Sequence, residues 1–439
     1  MSSKYLFLGL RGHALRAAQI IFVVGPGFTL FGYNQAGVGP LATLQTWVST
    51  FPTIDTINTE GAQEAVNSTR KGAVIASFQI GALIGALSCL FLGDRLGRRK
   101  TIFLAAILTI IGEALQVSAY NVIQFVVGRV ILGIGVGEIS VAIPVWQAEC
   151  SSAAHRGRDV ITAGIFMCLG YALCNWIDFG FTFIRNSTLE WRLPLALSLI
   201  LSLTVACVIF CLPESPRWLV RVNKVKQATR NLAALKGLPE DDEAIRTEIA
   251  QIESSLEFAT ARNNSLMEMF SKNDDERLFY RFCLCFALQF FQQMCGGNLI
   301  SVFFLFNSFY PFGFLGGNFL YCTEVAPVRL RVAMTSVSTA NHWLWNFVVT
   351  MVTPVALDTI GFRYYIMYAI ISACIPVSVF FFYPETMNRN LELLNNVFKD
   401  ASSPWDIVKM ARDLPQGEVA DSGNDESVAK QKVEQKENV

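Results

Sequence analysis

The feature that most constrains this chain is a series of apolar runs, most of them about 20 residues long. They cover 19–41, 72–92, 101–120, 122–146, 160–182, 192–212, 282–309, 332–357 and 364–383, and a shorter run covers 311–323. A helix needs about 20 apolar residues to cross the hydrocarbon core of a bilayer. Because only 16% of the residues are charged, few charges interrupt these runs. The sequence therefore predicts an all-α, polytopic membrane protein surrounded by lipid.

The basic residues predict how the chain is oriented. Clusters of Lys and Arg at 11–16, 95–100 and 156–158 lie in alternate loops between the apolar runs. Because cytoplasmic loops are enriched in Lys and Arg, both termini are predicted to be cytoplasmic, and the plasma membrane is the expected location. The sequons at Asn67 and Asn186 lie in the opposite set of loops, where the pattern predicts N-glycosylation.

Composition changes along the chain and predicts five parts. They are a cytoplasmic N-terminus at 1–18, a six-helix bundle at 19–212, a cytoplasmic helical linker at 213–280, a second bundle at 281–385 and a cytoplasmic tail at 386–439. The linker is rich in charged residues and places apolar residues at helical spacing. The tail is charged and poor in aromatic residues, which predicts that it is largely disordered.

The two halves of the chain share landmarks, which indicates an internal repeat. Each half has a Glu and an Arg seven positions apart, followed later by a Pro-Glu pair. The landmarks are Glu149, Arg156 and Glu214 in the first half, and Glu324, Arg331 and Glu385 in the second. We therefore expect two related helical bundles.

The second half is shorter than the first by about two spans. About 130 residues separate the first apolar run from Glu149, whereas about 43 separate the seventh from Glu324. Removing two spans and their loop keeps the later spans in their original orientation. The sequence predicts that about ten of the twelve spans of a complete two-bundle protein remain, and that the second bundle is incomplete.

Three motifs carry a family resemblance. They are GDRLGRRK at 93–100, GRVILGIGVG at 128–137 and PESPRW at 213–218. With them, the chain resembles the sugar porter family of the major facilitator superfamily. The closing segments NHWLWNF at 341–347 and FYPET at 382–386 are most similar to fungal members. The resemblance implies two bundles that rock around a sugar site near the midplane, while the glycines of the second motif indicate close helix packing.

The seventh apolar run carries carboxamides, which both donate and accept hydrogen bonds and therefore suit the hydroxyls of a sugar. The resemblance implies substrate contacts at Gln292, Gln293, Asn298, Phe319, His342 and Trp343. Contacts between helices are the alternative for the carboxamides. The family more often has Trp at 319 and Asn at 342, and Gly164 replaces a family glutamine. The substrate is therefore expected to be a monosaccharide or a related polyol.

Two residues bear on energy coupling. Arg129 lies inside an apolar run, where a cation is costly and usually functional, although interfacial anchoring is the alternative. Asn34 stands where proton-coupled relatives usually carry Asp, and an amide cannot titrate. The resemblance therefore favours a facilitative transporter over a proton symporter, with Asp178 as a weaker candidate proton site.

Charged residues at the predicted cytoplasmic ends of the spans form the last candidate site. The resemblance implies that they pair the two bundles in the outward-open state, whereas simple surface anchoring is the alternative. The set comprises Asp94, Arg95, Arg98, Glu149, Arg156, Glu214, Arg217, Glu324, Arg331 and Glu385.

Other functions receive less support from the sequence. No constellation of His, Cys and carboxylates indicates an enzyme, a cofactor or a metal site, because His13, His155 and His342 lie in separate segments. The formal net charge of zero gives no indication of a nucleic-acid partner. A sugar sensor, and a defective product missing two helices, remain alternatives to a transporter, and the oligomeric state stays open.

Overall fold

A computed structural model describes residues 7, 9–151, 153–184, 187–260, 276–295, 315, 317–327, 330–386 and 391–414. Only the backbone is described at 153–161, 255–260, 320, 354–355, 357–358, 391–393 and 404.

Long helices build the first half of the chain. The first span consists of α1 (Gly12–Gln19), a π-helical turn (Ile20–Val24), α2 (Gly25–Ala36) and α3 (Val38–Leu41). After α4 (Gln45–Thr50) and a 3-10 turn (Pro52–Ile54) come α5 (Gly61–Leu96), α6 (Arg98–Val117), α7 (Val122–Cys150), α8 (Ala153–Phe181) and α9 (Leu189–Val208), which ends in a 3-10 turn (Ile209–Cys211).

Shorter helices connect this half to the second. The linker forms α10 (Pro216–Arg221), α11 (Val225–Lys236) and α12 (Glu243–Thr260). The second half contains α13 (Leu278–Met294), α14 (Gly317–Val325), α15 (Arg331–Ile360) and α16 (Arg363–Phe382), followed by α17 (Leu391–Asp400) and α18 (Pro404–Asp413).

The apolar helices confirm the prediction of an all-α, polytopic membrane protein. Within the described ranges, seven helical stretches are long and apolar enough to cross a bilayer. They are Gly12–Leu41, Gly61–Leu96, Arg98–Val117, Val122–Cys150, Thr162–Phe181, Leu189–Cys211 and Arg363–Phe382. The first six coincide with the first six predicted runs. The run predicted at 282–309 begins in α13, and most of the remainder lies outside the described residues.

Glycine allows the helices of the first half to approach closely. A Cβ atom on Gly137 of α7 would lie 2.1 Å from the Ala82 carbonyl oxygen of α5, and one on Gly85 would lie 2.0 Å from the Ile134 carbonyl oxygen. No side chain fits at these separations, so the backbones of α5 and α7 are in direct contact. The predicted packing role of the glycines at 133–137 is confirmed.

Helix α15 joins the second half to the first. It packs along α5 and α7. Trp343 is fully buried, and its ring centroid lies 5.6 Å from that of Phe78. Its Nε1 donates a hydrogen bond to Ser140 Oγ at 3.3 Å. The two halves therefore share one hydrophobic core.

The prediction of a disordered tail from 386 to 439 is wrong for α17 and α18. Their apolar residues at 394, 397, 398, 407 and 411 recur at helical spacing and are buried against Leu284 and Val325. The Arg281 guanidinium lies 4.0 Å from the Phe398 ring centroid and donates to the carbonyl oxygens of Val325 and Asn395. This amphipathic pattern gives the segment enough apolar surface to fold against α13 and α14.

Replacing Phe398 with Ala should destabilise the protein by about 3–5 kcal/mol, because the change removes a buried ring and a cation–π contact. The midpoint of thermal unfolding of the purified protein in detergent measures the loss. Phe362→Ala is the matched control, since this ring is 74% exposed. Equal midpoints for the two variants would show that the docked tail contributes no stability.

Candidate functional site

Five polar side chains from α13, α14 and α15 meet in the interior of the protein. Gln289, Gln292 and Gln293 share one face of α13 because they are spaced three and four positions apart. Asn318 of α14 and His342 of α15 contact this face. All five residues are 0–4% exposed. We call them the carboxamide cluster.

Hydrogen bonds connect the members of the carboxamide cluster. Asn318 Nδ2 donates to Gln289 Oε1 at 2.8 Å and also to Gln292 Oε1. His342 Nδ1 lies 2.7 Å from Gln292 Oε1 and 2.9 Å from Gln293 Nε2. His342 Nδ1 cannot donate to Gln292 Oε1 and accept from Gln293 Nε2 at the same time. Asn318 Oδ1 accepts no hydrogen bond from the described residues. The cluster can therefore exchange partners and has a spare acceptor.

Aromatic rings close one side of the carboxamide cluster. Phe31 of α2 lies 4.9 Å from Trp343 and 6.2 Å from His342, measured between ring centroids. Phe319 of α14 lies 5.2 Å from His342 and 6.3 Å from Phe31. The cluster thus lies where the second half meets the first, and a residue of α2 forms part of its wall. In membrane transporters built from two repeats, solutes bind between the repeats.

Arg129 lies deep in the first half with Asn34. Its Nη1 donates to the Asn34 carbonyl oxygen at 3.3 Å and its Nη2 to that of Ile75 at 3.2 Å. The Phe78 ring centroid is 4.7 Å from the guanidinium carbon. Asn34 Nδ2 in turn lies 3.4 Å from Glu113 Oε1. Because Arg129 is only 1% exposed, anchoring at a membrane surface does not explain it.

At the predicted cytoplasmic end, Arg98 forms a dense set of contacts. Its Nε and Nη2 each lie 2.9 Å from an oxygen of Glu149, which is a bidentate ion pair. Its Nη1 donates to the Gly93 carbonyl oxygen at 2.8 Å and to Asp94 Oδ1 at 3.1 Å. We refer to Asp94, Arg98, Glu149 and Glu214 as the Arg98 cluster.

Glu214 caps the first turn of α6. It accepts hydrogen bonds from the backbone N–H groups of Arg98 and Arg99 at 3.2 Å, and its burial raises its pKa. A carboxylate at this position also interacts favourably with the helix dipole. The positive charge of Arg331, at the start of α15, acts on the Glu149 carboxylate. The Arg98 cluster therefore connects α5, α6 and α7, and Arg331 brings a charge of the second half close to it.

Other residues of the predicted charged network occupy different surroundings. Arg95 is exposed and forms no ion pair with any described residue, so it does not belong to the Arg98 cluster. Glu324 is buried on α14, Arg217 is partly buried on α10 and Glu385 is exposed. The side chain of Arg156, and all of Asn298 and Asn186, lie outside the described residues.

Sequence reasoning missed three buried polar residues. Gln289 belongs to the carboxamide cluster, and its position one turn before Gln292 and Gln293 was the available signal. Glu113 is 1% exposed and is the only charged residue in the run at 101–120. Glu138 is 2% exposed and accepts from Ser88 Oγ at 2.9 Å. Isolated acids in apolar runs indicate functional sites by the same reasoning that singled out Arg129.

Comparisons with known proteins agree with this architecture. The sequence model of the family described as "Sugar (and other) transporter" matches residues 19–303 and 299–398. Sugar transporter STL1 of Saccharomyces cerevisiae is 27% identical over 504 aligned positions, covering 95% of this chain and 88% of the relative. Major facilitator superfamily transporter mfsA of Aspergillus fumigatus is 28% identical, with coverages of 93% and 90%.

A solved structure shows the fold. The major facilitator superfamily proton:xylose symporter XylE bound to 6-bromo-6-deoxy-D-glucose superposes with a TM-score of 0.74 and 20% identity. The superposition covers 87% of this chain and 98% of that protein. The prediction of the major facilitator fold is thereby confirmed.

Replacing Arg98 with Gln should loosen the predicted cytoplasmic end, because breaking a buried ion pair costs roughly 3–5 kcal/mol. Hydrogen–deuterium exchange in peptides covering 93–100 and 331–340 should become at least about tenfold faster. Arg95→Gln is the control, since this neighbouring arginine is exposed. Unchanged exchange in Arg98→Gln would refute a link between the halves at this position.

An endoglycosidase should remove a glycan from Asn186 but not from Asn67. The Asn67 side chain is buried, and its Nδ2, the atom that would carry the glycan, donates to the Asp55 carbonyl oxygen at 2.7 Å. The electrophoretic shift should disappear in Asn186→Gln and persist in Asn67→Gln. Loss of the shift in Asn67→Gln would restore the original prediction for that sequon.

Proposed function

Because this chain belongs to the sugar (and other) transporter family, we propose that it moves a monosaccharide or a related polyol across a membrane by alternating access. The observation that carries this proposal is the carboxamide cluster, which is buried where the two halves meet. As a multi-pass membrane protein, the chain is proposed to act at the plasma membrane with both termini in the cytoplasm. The transporter names of its relatives support transport rather than catalysis.

The chemistry of the carboxamide cluster suits a polyhydroxylated solute. Its amides offer donors and acceptors close together, so neighbouring hydroxyls can replace the bonds that the side chains form with one another. Phe31, Phe319 and Trp343 add flat apolar surfaces, which can cover the C–H faces of a sugar ring. Polar groups that set orientation within an apolar wall are typical of small-molecule sites.

The Arg98 cluster supports a closed predicted cytoplasmic end in this conformation. Glu149 is paired with Arg98 and lies under the influence of Arg331, so charges from both halves meet there. Opening this end during transport would separate them. We assign these residues a gating role, with the solute entering from the opposite side.

We propose that the second bundle, at 281–385, is two helices shorter than the first at 19–212. The family model matches in two stretches that meet at 299–303, which supports a missing segment near this point. The alignment with STL1 has 504 positions, more than the 439 residues of this chain, so the relative contains segments that this chain lacks. Helix α14 still packs against α7 and α15, which keeps the wall of the site in place.

The energy source depends on whether a group in the first bundle can bind a proton. Asn34 is buried beside Arg129 and cannot titrate. Position 34 by itself therefore offers no proton site and favours downhill, facilitative flux, whereas proton symport requires a carboxyl group elsewhere in the bundle.

Replacing Gln292 with Ala should lower uptake of radiolabelled hexose about tenfold, because a lost hydrogen bond costs roughly 1 kcal/mol or more. Uptake is measured in a yeast strain without hexose transporters, with surface expression measured in parallel. Gln227→Ala is the control, since Gln227 is exposed on α11. Wild-type uptake in Gln292→Ala would remove α13 from the substrate site.

The same assay separates the alternative functions. A chain that reaches the membrane without supporting uptake of hexoses or polyols is either a sensor or a defective product. Purified protein that binds sugar without transporting it would support the sensor. Purified protein that neither binds nor transports would support the defective product.

A further inference from the structure

Glu113 is a buried acid that the proposed substrate site does not use. It lies in the middle of α6 and is 1% exposed. Ser202 Oγ of α9 donates to its Oε2 at 3.0 Å, and Asn34 Nδ2 of α2 lies 3.4 Å from its Oε1. Ser198, one turn before Ser202, lies near it but donates to the Leu195 carbonyl oxygen at 2.7 Å. Glu113 forms no ion pair with any residue in the described part of the chain.

These surroundings are unusual for a permanently ionised carboxylate. Removing a carboxylate from water without a cation beside it costs several kcal/mol. The partners of Glu113 are hydroxyls and an amide, and a hydroxyl can either donate to a carboxylate or accept from a carboxylic acid. Ser202 can therefore serve both protonation states. Asn34 Nδ2 can only donate, and its bond to Glu113 Oε1 is stronger when the carboxyl group is ionised.

Asn34 connects Glu113 to Arg129 and to α2, the helix that lies beside the carboxamide cluster. Its carbonyl oxygen accepts from Arg129 Nη1 at 3.3 Å, while its side chain lies against Glu113. Phe31 lies one turn earlier on α2 and contacts Trp343 and the His342 ring. A change at Glu113 thus acts on the same helix that closes the carboxamide cluster.

We propose that Glu113 is the proton-binding coupling residue of this transporter, a role that Asn34 cannot take. This inference rests on the proposed transport function. One proton binds the Glu113 carboxylate when the site is open to the outside and leaves it when the site opens to the cytoplasm. No bond to the solute forms or breaks. The carboxyl group is supplied by α6 instead of α2, and it remains in contact with position 34.

The elements around Glu113 supply few other charges. From α2, Tyr33 and Asn34 face the site, and α9 contributes Ser198 and Ser202. From α7, Arg129 reaches Asn34 rather than the carboxylate itself. The charged residues of α5 lie toward its two ends. They are Glu64, Arg70, Lys71, Asp94 and Arg95.

Asp178 is the competing acid in the same bundle. It is 3% exposed on α8, and its Oδ2 accepts from the Cys174 thiol at 3.8 Å. Cys174 lies four positions earlier on the same helix, so this contact does not link two spans. Glu113 is bonded to residues of two other spans, α2 and α9. We therefore assign the coupling role to Glu113.

The test uses full-length protein in proteoliposomes and two assays. Counterflow of radiolabelled D-glucose, D-xylose or D-sorbitol reports solute exchange without net proton movement, and the fastest of the three is then used throughout. Uptake under an imposed gradient, acidic outside, reports accumulation above equilibrium. The wild type should accumulate solute at least about fivefold and lose this accumulation with a protonophore. Glu113→Gln should keep counterflow within about twofold but no longer accumulate solute.

Three further variants test whether the effect is specific to Glu113. Glu64→Gln removes an exposed acid of the same bundle and should behave as the wild type. Asn34→Asp combined with Glu113→Gln returns a carboxylate to position 34 and should restore accumulation. Asp178→Asn should still accumulate solute. If Asp178→Asn lost accumulation while Glu113→Gln accumulated solute normally, the coupling role would belong to Asp178.

The other outcomes overturn the proposal in distinguishable ways. Wild-type counterflow without accumulation would identify a facilitator and remove the coupling role of Glu113 alone. Loss of both counterflow and accumulation in Glu113→Gln would assign this residue a structural role. Absence of counterflow in the wild type with all three solutes would refute the proposed transport function, and the inference with it.

Discussion

The packing of α15 against α5 and α7 is the contact on which the rest of the structure depends. Within the second half, α15 also packs against α13, α14 and α16. Trp343 supplies the central contact, since its ring packs on Phe31 and Phe78 and its indole N–H is bonded to Ser140. The carboxamide cluster lies beside this tryptophan, so the proposed site exists only because the two halves are joined there.

Charged side chains have different kinds of partner at the ends of the helices and in the interior of the protein. At the predicted cytoplasmic end, Arg98 and Glu149 neutralise each other directly, and the pair can break when that end opens. In the interior, Arg129 is held by carbonyl oxygens and an aromatic ring, and Glu113 by hydroxyls and an amide. Neutral partners leave both charges without a direct counterion among the described residues, unlike the ion pair between Arg98 and Glu149.

Much of the candidate site followed from the sequence. Gln292, Gln293, Phe319, His342 and Trp343 do meet, as the family resemblance implied. Gln289 joined them because helical spacing places it on the same face. Arg95 is a counterexample, since a basic cluster in sequence does not reveal which of its arginines turns inward. The tail shows the same limit, because low aromatic content concealed an amphipathic pattern that folds only where α13 and α14 provide a surface.

The sequence by itself determined the helical, membrane-spanning character of the chain and its family, because apolar length and motif spacing are local properties. The tertiary structure alone decided which buried polar groups meet. Glu113 and Asn34 are 79 positions apart, and Gln289 and Asn318 are 29 apart. Whether such side chains touch depends on the rotation and approach of whole helices, which close packing at residues such as Gly85 and Gly137 sets.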